Sequence, residues 1–167
     1  MTPFLISQIL AGITFVIGMT AFQFKDRKHI LRGWFLAAIV AAAHFFFLGK
    51  VEAGVLVTIT GVRFLVSSYT TDQRLMYLFM ALSLTGFAFT YEEPVSFLAL
   101  ASVLIGTWGS FRKDETQVRV TMMSTEIIWV IHNIIVWSPV AVAMEVFFFI
   151  SNLTGLIRHR RATETAL

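Results

Sequence analysis

Seven long apolar runs, separated by short polar connections, constrain this chain more than any other feature of its sequence. A bilayer core about 30 Å thick needs about 20 apolar residues per helix, and about 17 suffice for a short one. Because lipid cannot satisfy unpaired backbone groups, helices are the only open-ended way for such runs to cross a membrane. The sequence therefore predicts seven membrane-spanning helices, over residues 4–22, 30–48, 51–70, 75–91, 94–111, 118–137 and 139–157.

The composition agrees with a chain that lies in lipid. Hydrophobic residues make up 57% of the 167 positions and charged residues only 14%, and the mean hydropathy is +0.77. A soluble domain of this length needs more charge to cover its surface. The absence of cysteine excludes disulfides, thiol chemistry and cysteine-ligated metals. The net charge of +3 does not indicate a nucleic-acid partner, because the basic residues fall in the short connections between apolar runs.

The charges of the connections predict how the chain is oriented. The connections after the first and fifth runs, KDRKHILR and FRKDETQVR, and the C-terminal RHRRATETAL are basic, whereas EEP after the fourth run is acidic. An excess of lysine and arginine marks the cytoplasmic side of a membrane. We therefore expect a periplasmic N-terminus and a cytoplasmic C-terminus, with Lys50 as the one exception to the rule. The first run lacks a charged leader and a cleavage motif, so we interpret it as a retained span.

The chain also matches itself, without gaps, at an offset of 88 residues. The rare polar residues are the ones that align: His44 matches His132, and the Lys-Asp pair at 25–26 matches the one at 113–114. Several identities would arise by chance in so apolar a chain, but matches of scarce residue types carry more weight. The offset equates the first three runs with the last three and leaves the fourth as a connector.

This internal match predicts an all-α integral membrane protein made of two parallel three-helix repeats. Parallel repeats, related by an axis near the membrane normal, occur in small transporters such as the SWEET group. The three-plus-one-plus-three order resembles the topology of that group, although this chain lacks the prolines that SWEET helices carry in spans one, two, five and six. We predict one transmembrane domain over residues 1–167, with repeat one over about 4–70, a linker helix over about 75–91 and repeat two over about 94–158.

Ionisable residues and asparagines inside the apolar runs are the candidates for a functional site. Such groups are costly in lipid and normally face the interior of the helix bundle. Counting along the helices places Arg63 and Glu126 at a similar depth towards the inner side, which predicts an ion pair between the two halves. The alternative is that this pair is a fixed clamp for packing. The predicted solute-binding or polar-core residues are His44, Arg63, Glu126, His132, Asn133, Glu145 and Asn152.

Two histidines and Glu145 form a second predicted cluster. The same counting places His44, His132 and Glu145 in one layer towards the outer face, where they could carry a proton. The alternative is structural, with each histidine bonded to a backbone carbonyl and fixing helix packing. A haem held by His44 and His132 stays an open alternative, because two axial imidazoles are available. A zinc ion on the two histidines and Glu145 has weak support, because the three residues are spread over three helices without local ligand spacing. We predict no cofactor and no metal and, because no catalytic pattern is present, no enzymatic activity.

Several separate parts of the chain together carry a resemblance that runs nearly from end to end. They are IGMTAFQFKDRK at 17–28, HFFFLGKVEAG at 44–54, STEIIWVIHN at 124–133, and the residues Arg63, Met144, Glu145, Asn152, Ile157 and Arg158. In these parts the chain resembles the YgjV family of bacterial inner membrane proteins. The resemblance implies a location in the inner membrane and does not by itself imply a chemistry.

The sequence thus favours one function over a rival from another class. We predict a SWEET-like facilitator or transporter of a small solute, whose two repeats rock around a site near the membrane midplane. The rival is a non-transporting structural or partner-binding membrane protein, in which the polar layer only fixes the fold. The predicted partners are the lipid bilayer and an unidentified small solute, with a homo-oligomer left open. A cavity reached from one side would favour transport, and a dry interior with satisfied polar groups would favour the rival.

Overall fold

The computed structural model describes residues 1–21, 24 and 27–165, and this part of the chain folds into seven α-helices without strands. The prediction of seven helices is confirmed, and their ends lie within three residues of the predicted ones, except that the last helix continues beyond residue 157. Residue 22 and the Lys-Asp pair at 25–26 lie outside the described residues. The helices are α1 (Pro3–Ala21), α2 (Arg27–Phe47), α3 (Val51–Ser67), α4 (Gln73–Thr90), α5 (Ser96–Ser110), α6 (Glu115–Ile135) and α7 (Pro139–Thr165).

Two stretches of helix are long and apolar enough, by length and composition alone, to cross a membrane. They are Pro3–Ala21 and Lys28–Phe47. Two further apolar helices, Ser96–Ser110 and Pro139–Thr154, are shorter. The other three described helices, α3, α4 and α6, do not meet these criteria.

The helices place polar side chains inside and large apolar ones outside. Arg63 and His44 are each only 2% exposed, whereas Phe89 is 86% exposed and Trp137 is 82% exposed. A soluble protein rarely exposes apolar side chains over so much of its surface. This distribution suits a bundle that is surrounded by lipid and keeps its polar groups within.

Six of the seven described helices form a closed ring. Neighbours along the chain pack together as α1 with α2, α2 with α3, α5 with α6 and α6 with α7. The ring is completed by two long-range contacts, of α1 with α7 and of α3 with α5. Helix α4 lies outside the ring, against α3 and α5. The space enclosed by the ring is therefore bounded by helices from both ends of the chain.

The turns that follow α2 and α6 share one backbone geometry. Lys50 N–H donates to the carbonyl five residues earlier at 2.9 Å, and Ser138 N–H does the same at 2.9 Å. The residue before each donor has a left-handed backbone, with φ of +79° at Gly49 and +55° at Trp137. This is the Schellman ending of a helix. Glycine adopts it freely, whereas tryptophan rarely does, so the turn's hydrogen bonds hold Trp137 in place.

Candidate functional site

A cavity of about 710 Å³ lies inside the ring. All six ring helices contribute to its wall, and no described residue of α4 does. Its volume falls in the range of about 300–1,000 Å³ that is typical of small-molecule sites. At one end the lining reaches Phe24 and Lys113, which are both exposed and lie beside the basic connections. At the other end the lining stops at His44, where the helices are tied together.

Five of the seven predicted site residues line this cavity. His132 and Asn133 do not belong to the lining, although both are fully buried. The structure therefore brings together residues from α2, α3, α6 and α7 that are far apart in the chain. The five that line the cavity are His44, Arg63, Glu126, Glu145 and Asn152.

Arg63 lines the cavity, and its guanidinium has hydrogen-bonding capacity that the described chain does not use. The side chain is 2% exposed, and its Nε and Nη1 have no hydrogen-bond partner within the described chain. Its Cζ lies 4.5 Å from the ring centre of Phe64. Gly106 of α5 leaves space beside it, because a Cβ at that position would lie 3.5 Å from Nη1. A buried cation of this kind is unfavourable unless something supplies an acceptor.

Carboxylates from α6 and α7 line the same cavity. Asn152 Nδ2 donates to Glu126 Oε1, whereas Glu126 Oε2 has no partner in the described chain. Glu145 interacts electrostatically with Glu126. The predicted ion pair between Arg63 and Glu126 is wrong, because among the described residues neither group is the other's partner. Both residues nevertheless line one cavity.

Two threonine hydroxyls add to the unpaired polar groups of the wall. Thr14 Oγ1 on α1 and Thr60 Oγ1 on α3 are buried, line the cavity and have no partner within the described residues. Most buried polar groups in folded proteins are hydrogen-bonded, so these two hydroxyls are exceptions in the wall of the cavity.

His44 ties three helices together at the closed end of the cavity. Its Nδ1 lies 2.8 Å from the Ser7 carbonyl of α1, and its Nε2 lies 3.4 Å from Ser138 Oγ at the start of α7. A carbonyl only accepts, so Nδ1 carries the proton in this arrangement. Gln8 Nε2 also donates to Ser138 Oγ, at 3.3 Å. The bond to a backbone carbonyl that the structural alternative expects for this histidine is present.

His132 occupies the matching position in the second half but has a different environment. Its ring meets the edges of Phe45 and Trp129, with centroids 5.5 and 5.1 Å away. Its Nδ1 is 3.4 Å from Asn133 Oδ1, and its Nε2 has no partner in the described chain. The predicted layer of two histidines with Glu145 stays a prediction: among the described residues the rings bond to other groups, and the electrostatic neighbour of that carboxylate is Glu126.

Glu52 is a buried charged residue that the sequence reasoning assigned to a connection. It lies in the first turn of α3, is 0% exposed, and both carboxylate oxygens lack a partner in the described chain. Its spacing could have revealed it, since Arg63 comes eleven residues later, three helical turns along the same face. Beside it, Lys50 forms an ion pair with Glu93, which joins the α2–α3 turn to the α4–α5 connection.

Comparison with known proteins identifies the family. The family model Imp-YgjV, described as a bacterial inner membrane protein, matches residues 5–163. The chain belongs to this family. The resemblance inferred from the sequence segments is thereby confirmed, and with it the placement among bacterial inner membrane proteins. One relative is the inner membrane protein YgjV of Escherichia coli (strain K12), which is 27% identical over 161 residues, covering 96% of this chain and 88% of that protein. No solved structure matches the chain.

Proposed function

We propose that this chain is a transporter or facilitator of a small solute in the bacterial inner membrane. The observation that carries the proposal is that the wall of one cavity of about 710 Å³ contains Arg63 and Glu126, each with side-chain atoms that no group of the described chain pairs. An unpaired buried charge is strongly destabilising. Unlike Glu52, which is also unpaired, these two side chains line a space large enough for a solute. In the proposed mechanism they turn towards a bound solute, which supplies the missing partners.

The arrangement of the helices supports two three-helix repeats, α1–α3 and α5–α7, with α4 as the linker. Each half contributes one helix to each of the two seams that close the ring, α1 with α7 and α3 with α5. The left-handed turn residues Gly49 and Trp137 are 88 positions apart, as are their hydrogen-bond donors Lys50 and Ser138. Each half would then move as a unit, with all seven helices crossing the bilayer, as in a SWEET-like architecture.

The basic connections lie at the end where the cavity reaches the surface, so we place that end in the cytoplasm. Lys113 marks this end, and the excess of basic residues there follows the positive-inside rule. The N-terminus is then periplasmic and the C-terminus cytoplasmic. Lys50, the exception to the rule, is paired with Glu93 at the opposite end. In this reading the structure represents an inward-facing state.

Alternating access then requires the periplasmic ends of the two seams to separate. At the periplasmic end, the seam of α1 with α7 is held by the bonds of His44 and Gln8 to Ser138. At the same end, the Lys50–Glu93 ion pair spans the seam of α3 with α5. Apolar side chains also pack across both seams, in clusters that join α3 to α5 and α1 to α7, so these clusters would have to act as the pivot about which the halves rock. Opening here while the cytoplasmic end closes would carry a solute across.

A thermal-unfolding screen on the protein purified in detergent tests the proposal. We would add sugars, amino acids, nucleosides and vitamins in turn, because a ligand that binds only the folded state stabilises it, by about 2.7 kcal/mol at 100 times its dissociation constant. The stabilisation should disappear in Arg63→Gln and Glu126→Gln. It should persist in Arg74→Gln, a matched change at an exposed position on α4, which does not line the cavity.

Reconstitution then separates transport from binding. A solute that stabilises the protein should exchange across proteoliposomes in a counterflow assay. If no solute stabilises the protein, and the cavity variants are simply less stable, the non-transporting structural or partner-binding function replaces the proposal. Specific binding without counterflow would also contradict transport.

A further inference from the structure

We infer that the solute is a zwitterion with an apolar body, such as an amino acid with an aliphatic or aromatic side chain. The inference rests on the proposed function, since it concerns the ligand of the same cavity. Two features of the cavity support it: a cationic side chain and acidic side chains that are not paired with each other, and a wall that is otherwise largely aromatic and apolar.

The guanidinium side of the cavity selects an anionic group. Two nitrogens of Arg63, Nε and Nη1, are unpaired among the described residues. Each of these N–H groups is a charged donor that forms its strongest hydrogen bonds with an anionic oxygen. A Cβ at Gly106 would lie 3.5 Å from Nη1, so the glycine leaves room on that side of the guanidinium. An anionic group such as a carboxylate therefore suits this side of the cavity.

The carboxylate side selects a cationic group. Glu126 Oε2 is unpaired, while the amide of Asn152 holds Oε1 and so orients the carboxylate. Glu145 lines the cavity close enough to interact with Glu126 electrostatically. Two carboxylates near each other repel when both are charged, and an ammonium group between or beside them relieves that repulsion.

Solutes with only one kind of charge fit this cavity less well. A simple anion would satisfy Arg63 and leave Glu126 and Glu145 without a cation. A simple cation would leave the guanidinium buried and unpaired. A neutral sugar could form hydrogen bonds but would leave charges of both signs uncompensated in a protected space. A zwitterion satisfies both sides at once.

The walls between the charged groups are aromatic and apolar, which indicates the character of the solute's body. Aromatic rings of the wall contact one another, as Trp34 and Phe148 do edge to face with their ring centres 5.0 Å apart. Aromatic walls give large contact areas to apolar groups. The aromatic residues of the lining are Phe24, Trp34, Phe45, Phe64, Trp129 and Phe148.

Blocked amino acids test the inference on the unmodified protein. We would measure the stabilisation of the purified protein by L-phenylalanine, L-leucine and L-methionine, and by the C-terminal amide and the N-acetyl form of each. The amide removes the negative charge and the N-acetyl form removes the positive one. We expect at least one free amino acid to bind, and each of its blocked forms to bind at least about tenfold more weakly, because each leaves one buried charge unpaired.

Two variants then assign each charge of the solute to its side of the cavity. Arg63→Gln should lose the preference for the free acid over its amide while keeping the preference over the N-acetyl form. Glu126→Gln should do the reverse. A residue that mattered only for folding would weaken all forms alike, so the change of preference is specific to a binding role. If either variant does not fold, the analogue series on the unmodified protein still decides the inference.

Failure of the inference can be told apart from failure of the proposed function. Stabilisation by glucose or uridine that is lost in Arg63→Gln, with none by the free amino acids, would overturn the zwitterion and leave a solute carrier. Equal binding of a free acid and its amide would also overturn it. No stabilisation by any free amino acid would overturn the zwitterion alone, and no stabilisation by any solute of the full screen would overturn both.

Discussion

At the scale of single residues, matched positions in the two halves do not have matched roles. His44 and His132 are 88 positions apart and each lies one turn from the end of its helix. His44 uses both ring nitrogens, towards Ser7 and Ser138. His132 packs among aromatic rings and leaves Nε2 without a partner in the described chain. The sequence match shows where a ring is kept, and the neighbours decide what the ring does.

Replacing each histidine by phenylalanine tests this difference. His44→Phe removes two polar contacts between helices and should lower the free energy of unfolding by about 1–3 kcal/mol. His132→Phe should lower it by less, because the ring keeps its contacts with Phe45 and Trp129 and no paired nitrogen bond to another helix is lost. The measurement is the thermal unfolding of the two purified variants side by side. Equal losses would mean that ring size, and not hydrogen bonding, sets the stability at both positions.

Five of the six buried ionisable residues of the described chain could be located from the sequence, but their pairings could not. Depth along a helix can be counted at 1.5 Å per residue, and this brought Arg63 and Glu126 to one cavity. Rotation about the helix axis and the gap between helices depend on packing, which is why the predicted ion pair is not formed. Glu52 was overlooked because it is the second residue of α3. A charged residue at the end of an apolar run looks in the sequence like part of the polar connection.

At the scale of helices, a glycine at the crossing of α1 with α2 and another at the crossing of α5 with α6 let these helices approach closely. A Cβ on Gly33 of α2 would lie 2.6 Å from Ala21 Cβ of α1, and a Cβ on Gly109 of α5 would lie 2.7 Å from Thr121 Cβ of α6. Gly33 corresponds to Thr121 at the offset of 88, and Ala21 corresponds to Gly109. The same crossing is thus built twice, with the glycine on opposite partners, as small residues at membrane helix interfaces allow.

Alanine substitutions at these glycines should be destabilising, although alanine is the better helix former. Gly33→Ala and Gly109→Ala each force neighbouring helices apart, and we expect a loss of about 1–3 kcal/mol in the free energy of unfolding. Gly12→Ala is the control, because a Cβ there meets nothing within 4 Å. It should leave stability unchanged or raise it by up to about 1 kcal/mol. Thermal unfolding of the three variants is the measurement, and a tolerated Gly33→Ala would contradict the close crossing.

Helix bounds were predictable because apolar runs and short polar connections coincide with them. The exception is α7, which continues from residue 157 to Thr165. The sequence RHRRATET that follows the apolar run contains no glycine or proline. Helix formation needs only backbone hydrogen bonds and tolerable side chains, so loss of hydropathy ends a membrane span without ending the helix.

At the scale of the whole molecule, the closed ring is the feature that the sequence did not reveal. Short connections make consecutive helices neighbours, which the sequence does indicate. The seams of α1 with α7 and α3 with α5 join distant parts of the chain, and their existence depends on how the halves pack. The ring encloses the cavity, and its seams are where we expect it to open.

The ion pair at the closed end should control that opening more than it controls stability. Lys50 and Glu93 are partly exposed, and such pairs contribute only about 0–1 kcal/mol. Lys50→Glu would place like charges face to face. We expect little change in thermal unfolding but a larger population of molecules open at that end. Lys50→Glu combined with Glu93→Lys should restore the closed state. A Lys50→Glu protein that stays closed would remove this pair from the mechanism.

The most direct test of the central claim is the accessibility of the cavity from each face of the membrane. The chain has no cysteine, so a single Thr60→Cys in the cavity wall can be followed without background. A membrane-impermeant thiol reagent is applied to inverted and to right-side-out vesicles, with Glu92→Cys, an exposed position, as the periplasmic control. We predict that Thr60→Cys reacts from the cytoplasmic face, and that Lys50→Glu adds reaction from the periplasmic face. Reaction from neither face, or from the periplasmic face alone without Lys50→Glu, would contradict a solute cavity with alternating access.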